Sequence, residues 1–314
     1  MVACMSWQRQ QEHGSVLGMR FLIGVYKLLG AKMCCLITYP VLRYFYWINR
    51  NVRQALRDYY RHLQHVDDQI VAAPFANIKQ FGFGIIDRLS LWMGDSRRIA
   101  IVRHNHEVLY SRAKSGKGGI IFSSHLGNFE LSRAAGREKL PAVINVIVDY
   151  ENAKKINATM KAVNNDFMAN IIPVEHIDIT LAIQLKEKID DGEFIVIAAD
   201  RTNQKSAEHS LSVPFLGQDA AFPTGPYILA KVLGCPVFTL YAFRRGLGKY
   251  EIYFHQLFER VELPNKSREM KIKQYMAQYA EQLESYCRRY PDQWFNFYHF
   301  WQKPLHSDNH DRNK

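Results

Sequence analysis

Short apolar segments alternate with amphipathic segments from Ile99 onward, and this alternation is the strongest constraint on the fold. The apolar segments are rich in β-branched and aromatic residues and predict strands at 99–103, 119–124, 142–148, 170–174, 194–198, 236–242 and 250–256. The apolar spacing between them predicts helices at 106–114, 127–138, 151–167, 178–190, 224–233 and 266–289. The alternation therefore predicts an α/β fold, in which a mixed, mostly parallel sheet is flanked by helices.

One of these strands runs directly into a cluster of polar residues. The strand leads to His125, a glycine turn follows, Asn128 can cap the next helix, and Glu130 lies in the first turns of that helix. A carboxylate on Nδ1 fixes the tautomer of a histidine and makes Nε2 a better base, so Glu130 is predicted to orient His125. The chain contains no G-x-S-x-G sequence that would supply a nucleophilic serine. The pair therefore predicts a base that activates the hydroxyl of another molecule, with a purely structural ion pair as the alternative.

The sequence His125-Leu-Gly-Asn-Phe-Glu130 resembles the H-x4-D/E signature of the lysophospholipid acyltransferase superfamily. Its wording is similar to that of one branch, the lauroyl and myristoyl transferases of lipid A biosynthesis. Three further blocks lie in the order of that branch, and with the signature they cover roughly residues 98–301: Ala199-Asp-Arg201, Val213 to Ala230, and Tyr290-Pro-Asp-Gln-Trp294. The chain thus resembles a divergent member of this family, and its last block is interpreted as a clasp that returns to the cleft.

The resemblance implies a fold like that of glycerol-phosphate acyltransferases and the transfer of an acyl group from a thioester to a hydroxyl. It implies that His125 is the general base, oriented by Glu130, and that Asn128, Asp200 and Arg201 bind substrate. Two sources of hydrogen bonds to the oxyanion stay open: the backbone N–H groups that begin the 127–138 helix, and Arg201. A thioesterase or lysolipid hydrolase with the same pair, and a non-catalytic membrane-binding relative, are the alternative functions.

The charge of the chain favours an acidic partner. Lys and Arg outnumber Asp and Glu by 41 to 30, which gives a net charge of +11. No zinc-finger, RNP or basic-zipper pattern points to nucleic acid, so an anionic membrane surface or an acidic carrier protein is favoured. The resemblance implies acyl carrier protein as donor, with coenzyme A as the alternative, and a membrane lipid as acceptor. No metal is expected, because His104 and His106 have no third ligand in register, and no cofactor beyond acyl-ACP or acyl-CoA as co-substrate.

One position departs from the resembled family. An arginine typically follows the strand after the H-x4-E helix, whereas this chain has the acidic stretch Asp149-Tyr-Glu-Asn152 there. Phosphorylated headgroups favour Arg and Lys, so the departure weakens lipid A itself as the acceptor. It leaves the chemistry of acyl transfer unaffected.

The N-terminal part of the chain predicts helices that contact a membrane. Residues 17–48 are apolar and aromatic, but Lys27, Lys32, Pro40 and Arg43 interrupt them, which favours an interfacial helix over a spanning one. A buried helical hairpin is the alternative, and residues 51–95 predict two more helices. We therefore expect a helical, membrane-associating region (1–96), an acyltransferase domain (97–303) and a disordered tail (304–314). The resemblance implies the cytoplasmic face of the inner membrane.

Overall fold

The computed structural model describes residues 16–93, 95, 98–131, 142–149, 170–174, 178–202 and 209–301. Three helices come first: α1 (Val16–Ile48), α2 (Arg50–Val66) and α3 (Pro74–Trp92). The central elements are β1 (Ala100–His104), α4 (Glu107–Lys114), β2 (Gly119–Ser123), β3 (Ile144–Asp149), β4 (Asn170–Val174), α5 (Ile179–Asp190) and β5 (Phe194–Ala198). The last are β6 (Ser210–Phe215), β7 (Gln218–Pro223), α6 (Gly225–Leu233), β8 (Val237–Gly246), β9 (Lys249–Phe258) and α7 (Arg268–Arg289), with short 3-10 turns at Asn265–Ser267 and Pro291–Gln293.

Seven strands form one sheet in the order β1-β9-β8-β2-β5-β3-β4. The pairs β1–β9, β2–β8, β2–β5, β3–β5 and β3–β4 are parallel, and β8–β9 is antiparallel. The predicted mixed, mostly parallel sheet is therefore confirmed. A separate antiparallel hairpin of β6 and β7 was not predicted, since Pro214 interrupts its first strand and polar residues surround it. Most of the predicted helices at 127–138 and 151–167, and the tail 304–314, lie outside the described residues.

The sheet is covered on both faces by hydrophobic clusters. One cluster joins α6 and α7 to the sheet and includes Tyr59, Tyr60 and Leu63 of α2. The second packs α4 against the other face, around Leu109, Ile121, Phe194 and Tyr250. Strand β2 is buried along its whole length, and hydrophobic residues from both clusters cover it. The chain becomes partly exposed just beyond the carboxyl end of this strand. Sites in α/β sheets form at such ends.

Helix α1 is bent and only partly covered by protein. Gly30 adopts a non-helical backbone (φ 76°, ψ 179°) that divides the helix into two segments. Val25, Tyr26, Ala31 and Cys34 pack against α3, whereas many large apolar side chains face outward: Phe21, Leu28, Leu29, Met33, Leu36, Tyr39, Val41, Tyr44, Trp47 and Ile48. The segment Phe21–Ile48, with a mean hydropathy of 1.6, is long and apolar enough to cross a membrane. By length and composition alone, α1 could therefore cross a membrane. The sequence had favoured an interfacial helix because Lys27, Lys32, Pro40 and Arg43 interrupt the apolar residues.

Candidate active site

A tight turn after β2 carries His125. Gly127 has a left-handed backbone (φ 79°), and a Cβ atom there would lie 2.4 Å from the carbonyl oxygen of Ala242. Asn128 ends the turn, and a helical segment follows at residues 129–131. Both the backbone conformation and the close contact with β8 require glycine at this position. The turn therefore has a fixed path, and His125 has a fixed position at its start.

Asp200 holds His125 through two hydrogen bonds. Its Oδ1 lies 2.9 Å from Nδ1 of the imidazole, and its Oδ2 accepts from the backbone N–H of His125 at 2.8 Å. Asp200 is fully buried, whereas 42% of the His125 side chain is exposed. The carboxylate therefore fixes both the ring and the turn that carries it, and the ring stays accessible from outside.

The register of the sheet brings these two residues together. Strands β2 and β5 are parallel neighbours, and Ser123 pairs with Ala198. His125 and Asp200 each lie two residues beyond that pair. From the sequence, Glu130 was predicted to bind Nδ1 of His125, and Asp200 was predicted to contact the substrate. The contact between His125 and Asp200 was missed because the pairing of β2 with β5 cannot be read from either strand alone.

Electrostatics keeps this pair in the form of a base beside an ionised carboxylate. Burial lowers the pKa of His125 below 6.5 and the charge of Arg201 lowers it further, while Asp200 opposes both. Burial alone would raise the pKa of Asp200, but the charge and hydrogen bonds of His125 and the charge of Arg201 outweigh it and lower that pKa to about 2. An ionised carboxylate only accepts hydrogen bonds, so Nδ1 carries the proton and Nε2 carries the free lone pair.

The segment after α7 is built into the turn that carries His125. The indole Nε1 of Trp294 donates to Oδ2 of Asp200 over 3.4 Å, a long hydrogen bond. The backbone N–H of Gly127 donates to the carbonyl of Gln293 at 2.8 Å, and that of Phe295 donates to the carbonyl of His125 at 3.0 Å. The predicted return of this segment is confirmed as far as its contact with the His125 turn. The direct contact between Trp294 and Asp200 could not be predicted from the sequence.

The backbone N–H groups of the turn are already engaged. Those of His125 and Gly127 donate to Asp200 and Gln293, that of Leu126 donates to Oγ of Ser124 at 3.2 Å, and that of Asn128 donates to the carbonyl of Ala242 at 2.7 Å. Four successive donors of the turn are thus unavailable to a ligand unless the turn rearranges. Two of them, at Gly127 and Asn128, belong to the N–H groups at the start of the predicted 127–138 helix, one of the two sources that the sequence left open for an oxyanion.

Arg201 is the other source, and its guanidinium lies beside the turn. Its Nη2 donates to the carbonyl of Phe295, and its Cζ lies 5.4 Å from the centre of the Tyr298 ring. Its Nε is buried and has no hydrogen-bond partner among the residues that the structure describes. A buried cationic donor without a partner is costly, so this N–H is suited to meet an anionic oxygen of a ligand.

Asn128 and Glu130 are placed differently from His125. The Asn128 side chain is buried, and its Nδ2 donates to the carbonyl of Gly84 at 3.2 Å and contacts the Tyr250 hydroxyl at 3.4 Å. These contacts join the turn to α3 and β9, inside the fold. Glu130 is half-buried in the helical segment after the turn. The predicted roles of Asn128 in substrate binding and of Glu130 in catalysis stay predictions.

Comparison with known proteins identifies the family of this chain. Within the described residues, no group of three His, Cys, Asp or Glu side chains could hold a metal ion. No curated protein matches this chain. The family model described as bacterial lipid A biosynthesis acyltransferase matches residues 25–303, a range that includes the His125 turn, Asp200 and Trp294. The chain therefore belongs to the bacterial lipid A biosynthesis acyltransferase family.

Proposed function

We propose that this protein transfers a fatty acyl group from an acyl thioester to a hydroxyl of a lipid or glycolipid, with His125 as the general base. Its family suggests an acyltransferase that acts on lipid A-like substrates. The observation that carries the finer proposal is the bond between His125 Nδ1 and Asp200, because it leaves the Nε2 lone pair free on a partly exposed ring.

The reaction follows from this arrangement in two steps. Nε2 of His125 takes the proton of the acceptor hydroxyl while its oxygen attacks the thioester carbonyl, and Asp200 stabilises the imidazolium that forms. The tetrahedral oxyanion accepts a hydrogen bond from Arg201. The intermediate then collapses, the carbon–sulfur bond breaks, and the leaving thiolate takes the proton from Nε2. In this mechanism Asp200, rather than Glu130, orients the His125 ring. Glu130 is the second candidate for that role.

The donor that we propose is acyl carrier protein, with coenzyme A as the competing thioester. The net charge of +11 supports an acidic donor. The acceptor is a membrane lipid, and the outward apolar side chains of α1 support attachment to an anionic membrane. The proposed location is the cytoplasmic face of the inner membrane.

Mass spectrometry of total lipids tests the proposal. We compare cells that lack the protein with the same cells complemented by wild type or by His125→Ala. One lipid species should lose one acyl mass in the deletion, and only wild type should restore it. Restoration by His125→Ala would refute the mechanism. Release of free fatty acid by the purified protein, with no acylated lipid, would instead identify a hydrolase.

A further inference from the structure

Helix α2 presents a stripe of arginines on its outer face. Arg50, Arg57 and Arg61 are all exposed. Residues seven and eleven positions after Arg50 fall within about 20° of it around a helix, and the three span about 16 Å along the axis. The opposite face of α2 is the one that carries the buried residues Tyr59 and Leu63. The three positive charges therefore form one row that points away from the core.

Within the described parts of the chain, most of this charge is not neutralised. Arg50 and Arg57 form no ion pair in the structure that we describe. Arg61 bonds to Asp58 at 3.0 Å, but 77% of its side chain stays exposed. A cavity of about 360 Å³ lies against the same face, lined by Gln54, Arg57, Asp58, Arg61 and His299. The outer face of α2 is thus a basic, partly concave surface.

This surface is unsuited to insertion into a membrane. The exposed large apolar side chains of the N-terminal region end with Ile48 and resume with Val71, so α2 has none. A helix that lies in a bilayer interface needs an apolar face that faces the lipid, whereas the apolar face of α2 is buried in the protein. A polar partner that carries negative charge fits this face better.

The inner face of α2 connects the arginine row to the candidate active site. The Tyr59 ring packs on Trp294 with 5.0 Å between centroids, and Trp294 contacts Asp200. Since a helix with its side chains is about 10–12 Å across, a partner on the outer face lies close to the catalytic pair.

We propose that the arginine row of α2 (Arg50, Arg57 and Arg61) is the docking face for an acidic helix of the protein that carries the acyl thioester. This inference rests on the proposed function. Carboxylates spaced along one face of the partner helix would pair with the row, and the flexible arm that bears the thioester would reach around α2 to His125. Charge complementarity of this kind steers association and fixes the register of a complex.

The test reverses the charge of two arginines in the full-length protein, Arg57→Glu with Arg61→Glu. Turnover is measured with one acyl chain on two donors, acyl carrier protein and uncharged pantetheine. We expect kcat/KM for the carrier-bound donor to fall at least about tenfold, and kcat/KM for acyl-pantetheine to stay within about twofold. The matched control, Lys114→Glu with Lys117→Glu, changes the net charge equally at the other end of β2 and should leave both donors unchanged.

A binding measurement separates this inference from the proposed function. Fluorescence titration of wild type with acyl carrier protein should show binding that weakens with salt, and the α2 variant should lose it even if no acyl transfer occurs. Equal losses for both donors, or unchanged carrier binding, would overturn the docking face. If the variant instead loses only its binding to phosphatidylglycerol vesicles, the row contacts lipid and the proposal is wrong.

Discussion

Asp200 accepts hydrogen bonds from His125 with both carboxylate oxygens, one from the imidazole Nδ1 and one from the backbone N–H. The side chain therefore sets the orientation of the ring and the path of the turn at the same time. A buried carboxylate with a pKa of about 2 stays ionised at any pH at which the protein works. In the proposed mechanism, Asp200 is thus a permanent hydrogen-bond acceptor beside a ring that must be neutral to act as the base.

Replacing Asp200 by asparagine should reduce kcat strongly. The amide can donate to Nδ1, which favours the tautomer whose Nε2 carries the proton and cannot act as a base; a tautomer change of this kind costs about 10⁴ in a comparable triad. The assay is acyl transfer at saturating substrate, with circular dichroism to confirm folding. Glu130→Gln is the matched control for the other candidate carboxylate, and a larger loss there than in Asp200→Asn would return the orienting role to Glu130.

The pH dependence of the rate should reveal the influence of Arg201. Because the pKa of His125 is lowered, the base stays neutral below pH 6.5, and kcat/KM should fall only at more acidic pH. In Arg201→Gln the positive charge that lowers this pKa is lost, so the acidic limb should move to higher pH. The same variant should lose about 10²–10³ in kcat, the usual cost of removing one oxyanion donor.

Arg201→Lys is the control for that experiment. It keeps the charge but loses the planar guanidinium, so the acidic limb should stay near the wild-type position while kcat still falls. An acidic limb that does not move in Arg201→Gln would show that the charge does not act on His125. An unchanged kcat in both variants would assign the oxyanion to another donor.

Gly127→Ala should disrupt the turn without touching any reactive atom. The methyl group would lie 2.4 Å from the carbonyl oxygen of Ala242, on a backbone with φ 79° that L-residues rarely adopt. We expect a loss of about 1–3 kcal/mol in the free energy of unfolding together with a large loss of activity. Urea denaturation measures the first. Gly225→Ala is the control, since a Cβ there meets nothing within 4 Å.

The sequence predicted the seven strands of the main sheet, because their apolar runs are rich in β-branched and aromatic residues, but not the hairpin of β6 and β7. It located His125 because the motif is local. It could not identify the partner of His125, because that choice depends on the register Ser123–Ala198 between strands that are distant in the sequence. Trp294 illustrates the same limit. Its block was recognised, but its bond to Asp200 arises from the return of a chain segment after α7. The sequence thus predicted most of the helices and strands, but not the contacts between them.

The buried pair of Asp87 and Arg244 should be essential for stability. Asp87 accepts from Nε of Arg244 at 2.7 Å and from the Tyr250 hydroxyl at 2.8 Å, and it joins α3 to β8 and β9. Asp87→Ala would leave a guanidinium that is only 10% exposed without its partner, which typically costs about 3–5 kcal/mol. The control Arg61→Ala breaks an exposed pair and should cost about 0–1 kcal/mol in the same urea titration. Equal effects would mean that Arg244 finds another acceptor.

The exposed side chains of α1 should hold the protein on membranes. Leu28 and Leu36 are 83% and 65% exposed, so replacing both by serine should leave folding intact. Full burial of one leucine contributes about 1.5–3 kcal/mol, and the double variant should therefore bind vesicles roughly a hundredfold or more weakly. Flotation with vesicles of phosphatidylethanolamine and phosphatidylglycerol measures this.

The control for α1 uses two apolar residues of a different helix. Ile179 and Ile183 on α5 are 81% and 55% exposed, so Ile179→Ser with Ile183→Ser removes a similar apolar area and should leave flotation unchanged. Detachment of the α5 variant with retention of the α1 variant would place the membrane contact on α5. If instead the α1 variant detaches and wild type resists extraction at alkaline pH, α1 crosses the bilayer, because a helix held only in the interface is released by that treatment.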